Sequence, residues 1–190
     1  MSIVSATKYY SGHSDVMGGS LAVNKKAFKY VERTNKITGL RLSPDDAYLI
    51  LRGLRTLDIR IEKHQENAKK VAQFLSKNKK VQILYPFKKN SQNYKMWKKY
   101  YKGASGLMGL KIKTKNKNSV KKFVNSLQLF GYGYSWGGFE SLALHQEIAE
   151  RGNRNYLKLK KNEHIVRLHI GLESAKDLIS DLKNAMKHIK

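Results

Sequence analysis

Two hydroxyl groups and one lysine lie close together near the start of the chain. Ser5 and Thr7 are two residues apart, so on an extended backbone their hydroxyls point the same way, while Lys8 points elsewhere. Two convergent hydroxyls can bind a phosphate, and the Lys8 amine would then face whatever that phosphate carries. A solvated strand edge followed by a turn explains the same residues, so the sequence leaves both interpretations open.

A glycine-rich stretch with aromatic residues, from Gly131 to Leu142, is the second candidate segment. Glycines on both sides of the aromatic residues indicate a loop with unusual backbone geometry. Trp136 in such a loop could line a pocket or plug the side of a core. Its residue type alone favours the plug.

The third candidate segment, residues 165–173, is a predicted strand that carries a basic residue. Alternation along a strand places Arg167 and His169 on one face and the apolar residues between them on the other. An arginine on a rigid strand suits bidentate binding of a carboxylate, although an ion pair with an acid such as Glu173 is equally consistent. The six histidines show no metal-ligand spacing, so we predict no metal site.

Strands and helices predicted from hydrophobic spacing must position these segments. We expect strands at residues 20–23, 81–84, 107–113 and 165–170, and helices at residues 25–38, 94–101, 119–127 and 175–189. A further helix begins after Ser43, a good N-cap, and its apolar positions, Leu51 and Leu54 among them, predict one long helix that links two domains. Strands and helices alternate from Val81 onward, which indicates a small two-layer α/β domain.

The composition excludes several classes of protein. No cysteine is present, so the chain has no disulfide framework, no thiolate metal site and no cysteine nucleophile. No apolar run approaches the length that spans a bilayer, and the first residues do not resemble a secretory signal, which is compatible with a cytoplasmic location. The net charge of +24 suggests nucleic acid or another anionic surface. However, 30 of the 38 basic residues are lysines, and we favour solvated lysine faces over a nucleic-acid site.

The three segments together resemble the C-terminal half of the pyridoxal-phosphate enzymes of cysteine and methionine metabolism, and most closely their bacterial cystathionine β-lyase branch. The similarity covers essentially the whole chain and rests on residues 5–9, 12–15, 52–57, 134–142 and 167–173, with His64, Asn67-Ala68 and Val71-Ala72. The synthase and γ-lyase branches typically have leucine where this chain has Trp136, and tend to lack the pair His169-Ile170. Trp136 is therefore the main indication of the branch.

The resemblance implies an α/β fold, namely the C-terminal part of a fold-type I PLP-dependent transferase-like enzyme. Residues 1–42 would be the end of the large cofactor-binding domain, residues 43–78 a long linking helix, and residues 79–190 a small C-terminal α/β domain. We expect such a portion alone to bind the cofactor poorly and to lack activity. The carboxylate that pairs with the pyridine nitrogen and the aromatic residue that stacks on the ring would lie outside this chain.

The resemblance also implies a role for each candidate residue. Lys8 would be catalytic and would form the Schiff base with pyridoxal 5'-phosphate, and the cofactor phosphate would bind the hydroxyls identified above, Ser5 and Thr7. The substrate carboxylate would bind Arg167 with help from Ser135. The substrate pocket would be shaped by Tyr134 and Trp136.

The implied reaction is the cleavage of cystathionine to homocysteine, pyruvate and ammonia, by a cytoplasmic homo-oligomer, a dimer of dimers whose subunits share each site. An amino acid would be the small-molecule substrate, and neither a membrane nor nucleic acid is an expected partner. Another PLP-dependent carbon–sulfur lyase, such as a cysteine desulfhydrase, is the first alternative. A basic nucleic-acid-binding module is the alternative of another class, resting on the lysine-rich residues 63–122.

Overall fold

A pair of antiparallel strands begins the structure, a computed structural model that describes residues 1–87, 89, 91, 93–146 and 159–189. Strand β1 (Ser2–Ser5) pairs with β2 (Gly19–Ala22), and a single π-helical turn, Ala6–Tyr10, follows β1. Helix α1 (Lys25–Thr38) comes next, and Gly39 ends it in the left-handed conformation, with a φ of 64°. The strand and the helix predicted for this part of the chain are therefore confirmed.

The helix that begins after Ser43 is interrupted, which corrects the prediction of one continuous helix. Helix α2 (Pro44–Leu54) ends at a turn, and α3 (Leu57–Leu75) begins after it. In a continuous helix the Gly53 carbonyl would accept the N–H group four residues later. Here it accepts instead from the Arg60 guanidinium at 2.6 Å, from the Thr56 N–H at 3.2 Å and from the Thr56 hydroxyl at 3.3 Å. Two of these three donors are side chains, which the hydrophobic spacing does not reveal.

The start of α2 confirms the predicted cap, whereas its apolar face is only partly covered. The Ser43 hydroxyl accepts the Asp46 N–H at 3.1 Å, which satisfies one of the free donors at the helix start. Ile50 is buried, but Leu51 and Leu54 are 51% and 38% exposed. The predicted apolar stripe therefore continues onto the surface of the described structure.

A five-stranded sheet forms the second half of the chain. Its strands are β3 (Val81–Leu84), β4 (Leu107–Lys113), β5 (Gly131–Tyr132), β6 (Leu142–Gln146) and β7 (Glu163–His169), in the spatial order β3-β4-β7-β6-β5. Neighbouring strands are antiparallel except β5 and β6, which are parallel. The three predicted strands are confirmed, but β5 and β6 were not predicted, because short strands beside a glycine-rich loop give little alternation.

Three further helices accompany the sheet: α4 (Tyr94–Tyr100), α5 (Lys117–Asn125) and α6 (Ala175–Ala185). Helix α5 begins two residues earlier than predicted, because the side chain of Asn116 accepts the Asn118 N–H at 3.0 Å and caps it. Helix α6 is shorter than the predicted closing helix and continues as one 3₁₀ turn to His188.

The apolar core lies between one face of this sheet and helices α3, α5 and α6, which confirms the two-layer α/β fold. Fully buried side chains from both layers meet there: Val71, Leu75, Leu110, Ile112, Val120, Phe123, Val166, Leu168, Leu178 and Leu182. The alternation predicted for β7 is confirmed, because Val166 and Leu168 face this core whereas Arg167 contacts the loop that follows β5. In the part of the chain that the structure describes, no helix has the length and apolar character needed to cross a bilayer.

Candidate active site

Lys8 projects from the π-helical turn that follows β1, and its amine lies against the glycine-rich loop far along the chain. Its backbone leaves helical geometry, with φ of −88° and ψ of −120°. The Lys8 Nζ donates a hydrogen bond to Ser135 Oγ at 2.8 Å and lies 4.4 Å from the centre of the Trp136 ring. Among the described residues Lys8 takes part in no ion pair. Three predicted site residues thus meet around an amine without a carboxylate partner.

The turn that carries Lys8 is held by the backbone of Gly18. The Ala6 and Thr7 N–H groups both donate to the Gly18 carbonyl, at 2.9 and 3.2 Å. The Thr7 hydroxyl accepts the Gly18 N–H at 2.9 Å and donates to the Gly18 carbonyl at 3.3 Å. Ser5 is exposed at the end of β1. The two hydroxyls therefore do not share one extended strand, which corrects that geometric argument, and their phosphate-binding role stays a prediction.

Arg60 fixes this turn against the corner between α2 and α3, and the sequence interpretation missed it. Its buried guanidinium donates to the Tyr9 carbonyl at 2.9 Å and to the Gly53 carbonyl at 2.6 Å, while its Nε donates to the Thr56 hydroxyl at 3.0 Å. Burial lowers the pKa of Arg60, yet a guanidinium stays charged in proteins. A signal was present, because Arg60 shares the helical face of the buried positions His64, Asn67 and Val71.

Arg167 anchors the loop around Ser135 and keeps a donor free. One terminal nitrogen of its guanidinium donates to the carbonyls of Gly133 at 2.9 Å and Ser135 at 3.1 Å. Its Nε is buried and has no hydrogen-bond partner among the described residues. The predicted alternative, an ion pair with Glu173, is not formed, because that carboxylate accepts from the Ser141 N–H and hydroxyl at 2.6 and 2.8 Å. The second terminal nitrogen makes no hydrogen bond among the described residues, and a free terminal donor is consistent with carboxylate binding.

Trp136 lines the site, and the expectation of a core plug from its residue type is wrong. Its ring is half-buried and lies close to two cationic groups, with the Arg167 Cζ 5.5 Å and the Lys8 Nζ 4.4 Å from its centre. Such contacts suit the negative face of an indole. Tyr134 lies elsewhere, 65% exposed and edge-on to the Tyr132 ring at 6.3 Å. Its role in a substrate pocket stays a prediction.

A buried cluster of three rings, Tyr9, His64 and His169, lies beneath the site and was also missed. The two imidazoles are 5.1 Å apart, and the Tyr9 ring lies edge-on to both, at 5.4 and 5.9 Å. Burial, the largest cause, lowers the pKa of His169 to about 4 and also lowers that of His64. Both imidazoles are therefore neutral at neutral pH, which suits a structural rather than a titrating role.

The donor set around Lys8 suits carbonyl and carboxylate chemistry rather than a metal. A primary amine held by a hydroxyl can condense with an aldehyde, and a nearby guanidinium can bind an acid group. Within the described residues no three side chains of the usual metal-ligating types lie together. The arrangement can therefore hold a group that carries an aldehyde beside one that carries an acid.

Comparison with known proteins gives a family match over nearly the whole chain. A model of the family described as Cys/Met metabolism PLP-dependent enzyme matches residues 1–187. A cystathionine β-lyase from Bordetella avium is 38% identical over 188 residues, which cover 98% of this chain and 47% of that protein. An L-alanine/L-glutamate racemase from Wolbachia pipientis wMel is 34% identical over 192 residues, which cover 100% of this chain and 47% of that protein.

A solved structure shows the same fold. The cystathionine γ-synthase from Xanthomonas oryzae pv. oryzae, crystallised with aminoacrylate and cysteine, is similar with a TM-score of 0.88 at 34% identity. The match covers 98% of this chain and 49% of that one. The chain therefore spans about half the length of the relatives it matches.

Proposed function

The chain belongs to the Cys/Met metabolism PLP-dependent enzyme family, and from this premise we propose that it forms the C-terminal portion of a carbon–sulfur β-lyase. The proposed reaction cleaves cystathionine to homocysteine, pyruvate and ammonia, in the cytoplasm and in a homo-oligomer whose subunits share each site. In this proposal residues 1–42 end the cofactor-binding domain, residues 43–78 link the domains and residues 79–190 form the small domain. The meeting of Lys8, Ser135 and Trp136 beside Arg167 carries the proposal.

Pyridoxal phosphate fits the donors around Lys8. When bound, it supplies an aldehyde for the lysine and a ring that withdraws electrons from the substrate Cα. Lys8 Nζ can meet that aldehyde because in the described structure it is bound by the Ser135 hydroxyl rather than by a carboxylate. The Thr7 hydroxyl donates only a long 3.3 Å bond to Gly18, so it can turn its proton toward a phosphate, and the exposed Ser5 hydroxyl can do the same.

Two groups of the chain would act on the substrate directly. Lys8 Nζ is the amine that takes the proton from the substrate Cα, and the 2.8 Å hydrogen bond to Ser135 Oγ fixes its direction. Arg167 binds the α-carboxylate through the terminal nitrogen that the loop carbonyls leave free. Holding the amine and the carboxylate beside Trp136 orients the Cα–H bond toward the base.

Trp136 supports the β-lyase branch of the family. Its indole forms one wall beside the Lys8 amine, where the synthase and γ-lyase branches typically carry a leucine. Because a racemase and a γ-synthase are also similar over nearly the whole chain, the substrate has to be measured.

Product analysis tests the proposed reaction. The whole protein that contains this chain, loaded with pyridoxal phosphate, is given cystathionine and cysteine in competition. We expect homocysteine and pyruvate as the main products, loss of activity in Lys8→Ala, and parent-like activity in Lys183→Ala, which changes an exposed lysine of α6. Sulfide as the main product would favour a cysteine desulfhydrase, and racemised amino acid without pyruvate would overturn the lyase assignment.

The nucleic-acid alternative has a separate test. The lysine-rich residues 63–122 lie outside the three candidate segments of the sequence, and two of these lysines, Lys63 and Lys70, pair with Glu66. A salt-dependent shift with single-stranded nucleic acid would support a binding function, and the absence of binding at low salt would remove it.

A further inference from the structure

His169 lies at the end of β7, directly behind the loop that carries Trp136, and the chemistry proposed above does not use it. The imidazole is 0% exposed. Its Nε2 lies 3.1 Å from the Gly137 nitrogen and 3.0 Å from the Gly138 carbonyl oxygen. With the proton on Nδ1, Nε2 accepts the Gly137 N–H, and with the proton on Nε2, it donates to the Gly138 carbonyl. In either tautomer one side chain holds this loop from behind.

The loop that His169 holds passes directly over the backbone of Lys8. Gly137 has a φ of 88°, and a Cβ at this position would lie 2.8 Å from the Tyr9 nitrogen and 2.9 Å from the Lys8 carbonyl carbon. The backbone at Gly137 thus packs against the turn that carries Lys8 and is also bound by the His169 imidazole. A displacement of Gly137 would change how the two residues before it, Ser135 and Trp136, face the lysine amine.

The ring itself has little freedom to move. Tyr9 and His64 lie against it at 5.9 and 5.1 Å, and a Cβ at Gly106 would lie 3.1 Å from its Nδ1. Packing on several sides fixes the position of Nε2, as a group needs if it is to orient another. Its low pKa keeps the ring neutral at working pH, so Nε2 can act in either of the two tautomers.

We propose that His169 is a positioning residue that, through Nε2, anchors Gly137 and Gly138 and so sets Ser135 and Trp136 against the Lys8 amine. This inference rests on the proposed function for its kinetic consequence, but its geometric consequence stands without it. Arg167 binds the same loop at the Gly133 and Ser135 carbonyls. Loss of the imidazole anchor should therefore misalign the base more than it weakens carboxylate binding.

Two substitutions of similar polarity separate positioning from packing. The amide end of glutamine reaches about as far as Nε2, and offers both a donor and an acceptor there, whereas that of asparagine reaches only as far as Nδ1. His169→Gln should thus restore the anchor, and His169→Asn should not. Melting curves of both variants establish that they are folded before any other measurement is interpreted.

The first readout is the accessibility of Trp136 and needs no cofactor. The chain has two tryptophans, so a Trp97→Phe background leaves Trp136 as the only fluorophore of this kind. We expect acrylamide to quench Trp136 about twofold more strongly in His169→Asn than in the parent, and equally in His169→Gln. A folded Asn variant with unchanged quenching, or a folded Gln variant that behaves like Asn, overturns the proposal. If His169→Asn does not fold, the quenching of Trp136 in His169→Gln is compared with that in the parent, and a stronger quenching in His169→Gln overturns the proposal.

The second readout is turnover in the whole protein that contains this chain, counted per molecule of bound cofactor. We expect His169→Asn to lower kcat about tenfold, the change that the loss of one ordinary hydrogen bond produces, with KM within about twofold of the parent and recovery in His169→Gln. An unchanged kcat, or a loss in KM alone, overturns the kinetic role. A parent without lyase activity defeats the proposed function instead, and leaves the fluorescence result to decide the positioning role.

Discussion

The buried imidazole of His169 makes the stability of the chain depend on pH. Its pKa is about 4 in the folded chain, against an ordinary value of about 6.5 in the unfolded chain. Between these values the unfolded chain binds a proton that the folded chain does not, so the free energy of unfolding falls as pH decreases. The contribution of the neutral His169 imidazole to the free energy of unfolding is fully present above about pH 6.5. It is lost as the pH falls toward about 4.

The size of the effect follows from the same two values. Acidification from about pH 7 to about pH 5 should remove about 2 kcal/mol of unfolding free energy through His169 alone. His64 and Arg167 lower the pKa of His169, whereas Glu140 and the Gly138 carbonyl raise it, each less strongly than burial lowers it. His64 contributes in the same direction as His169, because its own pKa is lowered by burial.

Urea denaturation followed by circular dichroism measures this effect. The parent chain, His169→Gln and His188→Gln are unfolded at about pH 7 and about pH 5, and the three differences are compared. His188 is exposed in the 3₁₀ turn after α6, so its replacement serves as the matched control and should leave the difference unchanged. His169→Gln should reduce the difference by about 2 kcal/mol. An equal pH dependence in His169→Gln and in the parent would refute the reasoning.

Three further predictions concern the framework and the carboxylate site. Arg60→Leu should lower the free energy of unfolding by about 3 kcal/mol, because it leaves several buried acceptors without a donor; a loss below about 1 kcal/mol in urea would contradict this role. Gly53→Ala should lower the melting temperature, because the added Cβ would lie 2.7 Å from the Ser11 carbonyl carbon. Gly39→Ala is the control, because its Cβ would meet no atom within 4 Å and only the left-handed backbone conformation opposes an alanine there. Arg167→Leu in the whole protein should raise KM for cystathionine about a hundredfold, as expected when a charge-assisted carboxylate contact is removed, and wild-type kinetics would count against that role.

The sequence predicted best those parts of the fold whose cause is local. The Ser43 cap, the end of α1 at Gly39 and the alternation of β7 each depend on a few neighbouring residues, and all are confirmed. The interruption between α2 and α3 was not predictable in the same way. There the Arg60 guanidinium donates both to the Gly53 carbonyl and to the Tyr9 carbonyl, 51 residues earlier in the chain, and local spacing does not reveal a contact of that range.

The same distinction between local and long-range causes applies to the candidate site. Lys8, Ser135 and Trp136 were named from their motifs, and the structure brings them together although 127 residues separate the first two. The extended geometry assumed for Ser5 and Thr7 was wrong, because the Gly18 backbone binds Thr7 and turns the chain. The buried polar residues Arg60, His64 and His169 do no chemistry of their own. Arg60 and His64 lie on the buried face of α3, which could have indicated their role, whereas His169 lies on the face of β7 opposite the core, and its sequence position gave no such signal.

The identity of the cofactor lysine is the central claim, and reductive trapping tests it most directly. The whole protein that contains this chain is incubated with pyridoxal phosphate, reduced with borohydride, digested and analysed by mass spectrometry. We predict a pyridoxyl group on Lys8, the amine that lies 2.8 Å from Ser135 Oγ, and no comparable labelling of exposed lysines such as Lys183. A pyridoxyl group on another lysine with Lys8 unmodified would contradict the account. So would a total pyridoxyl incorporation in Lys8→Ala equal to that of the parent.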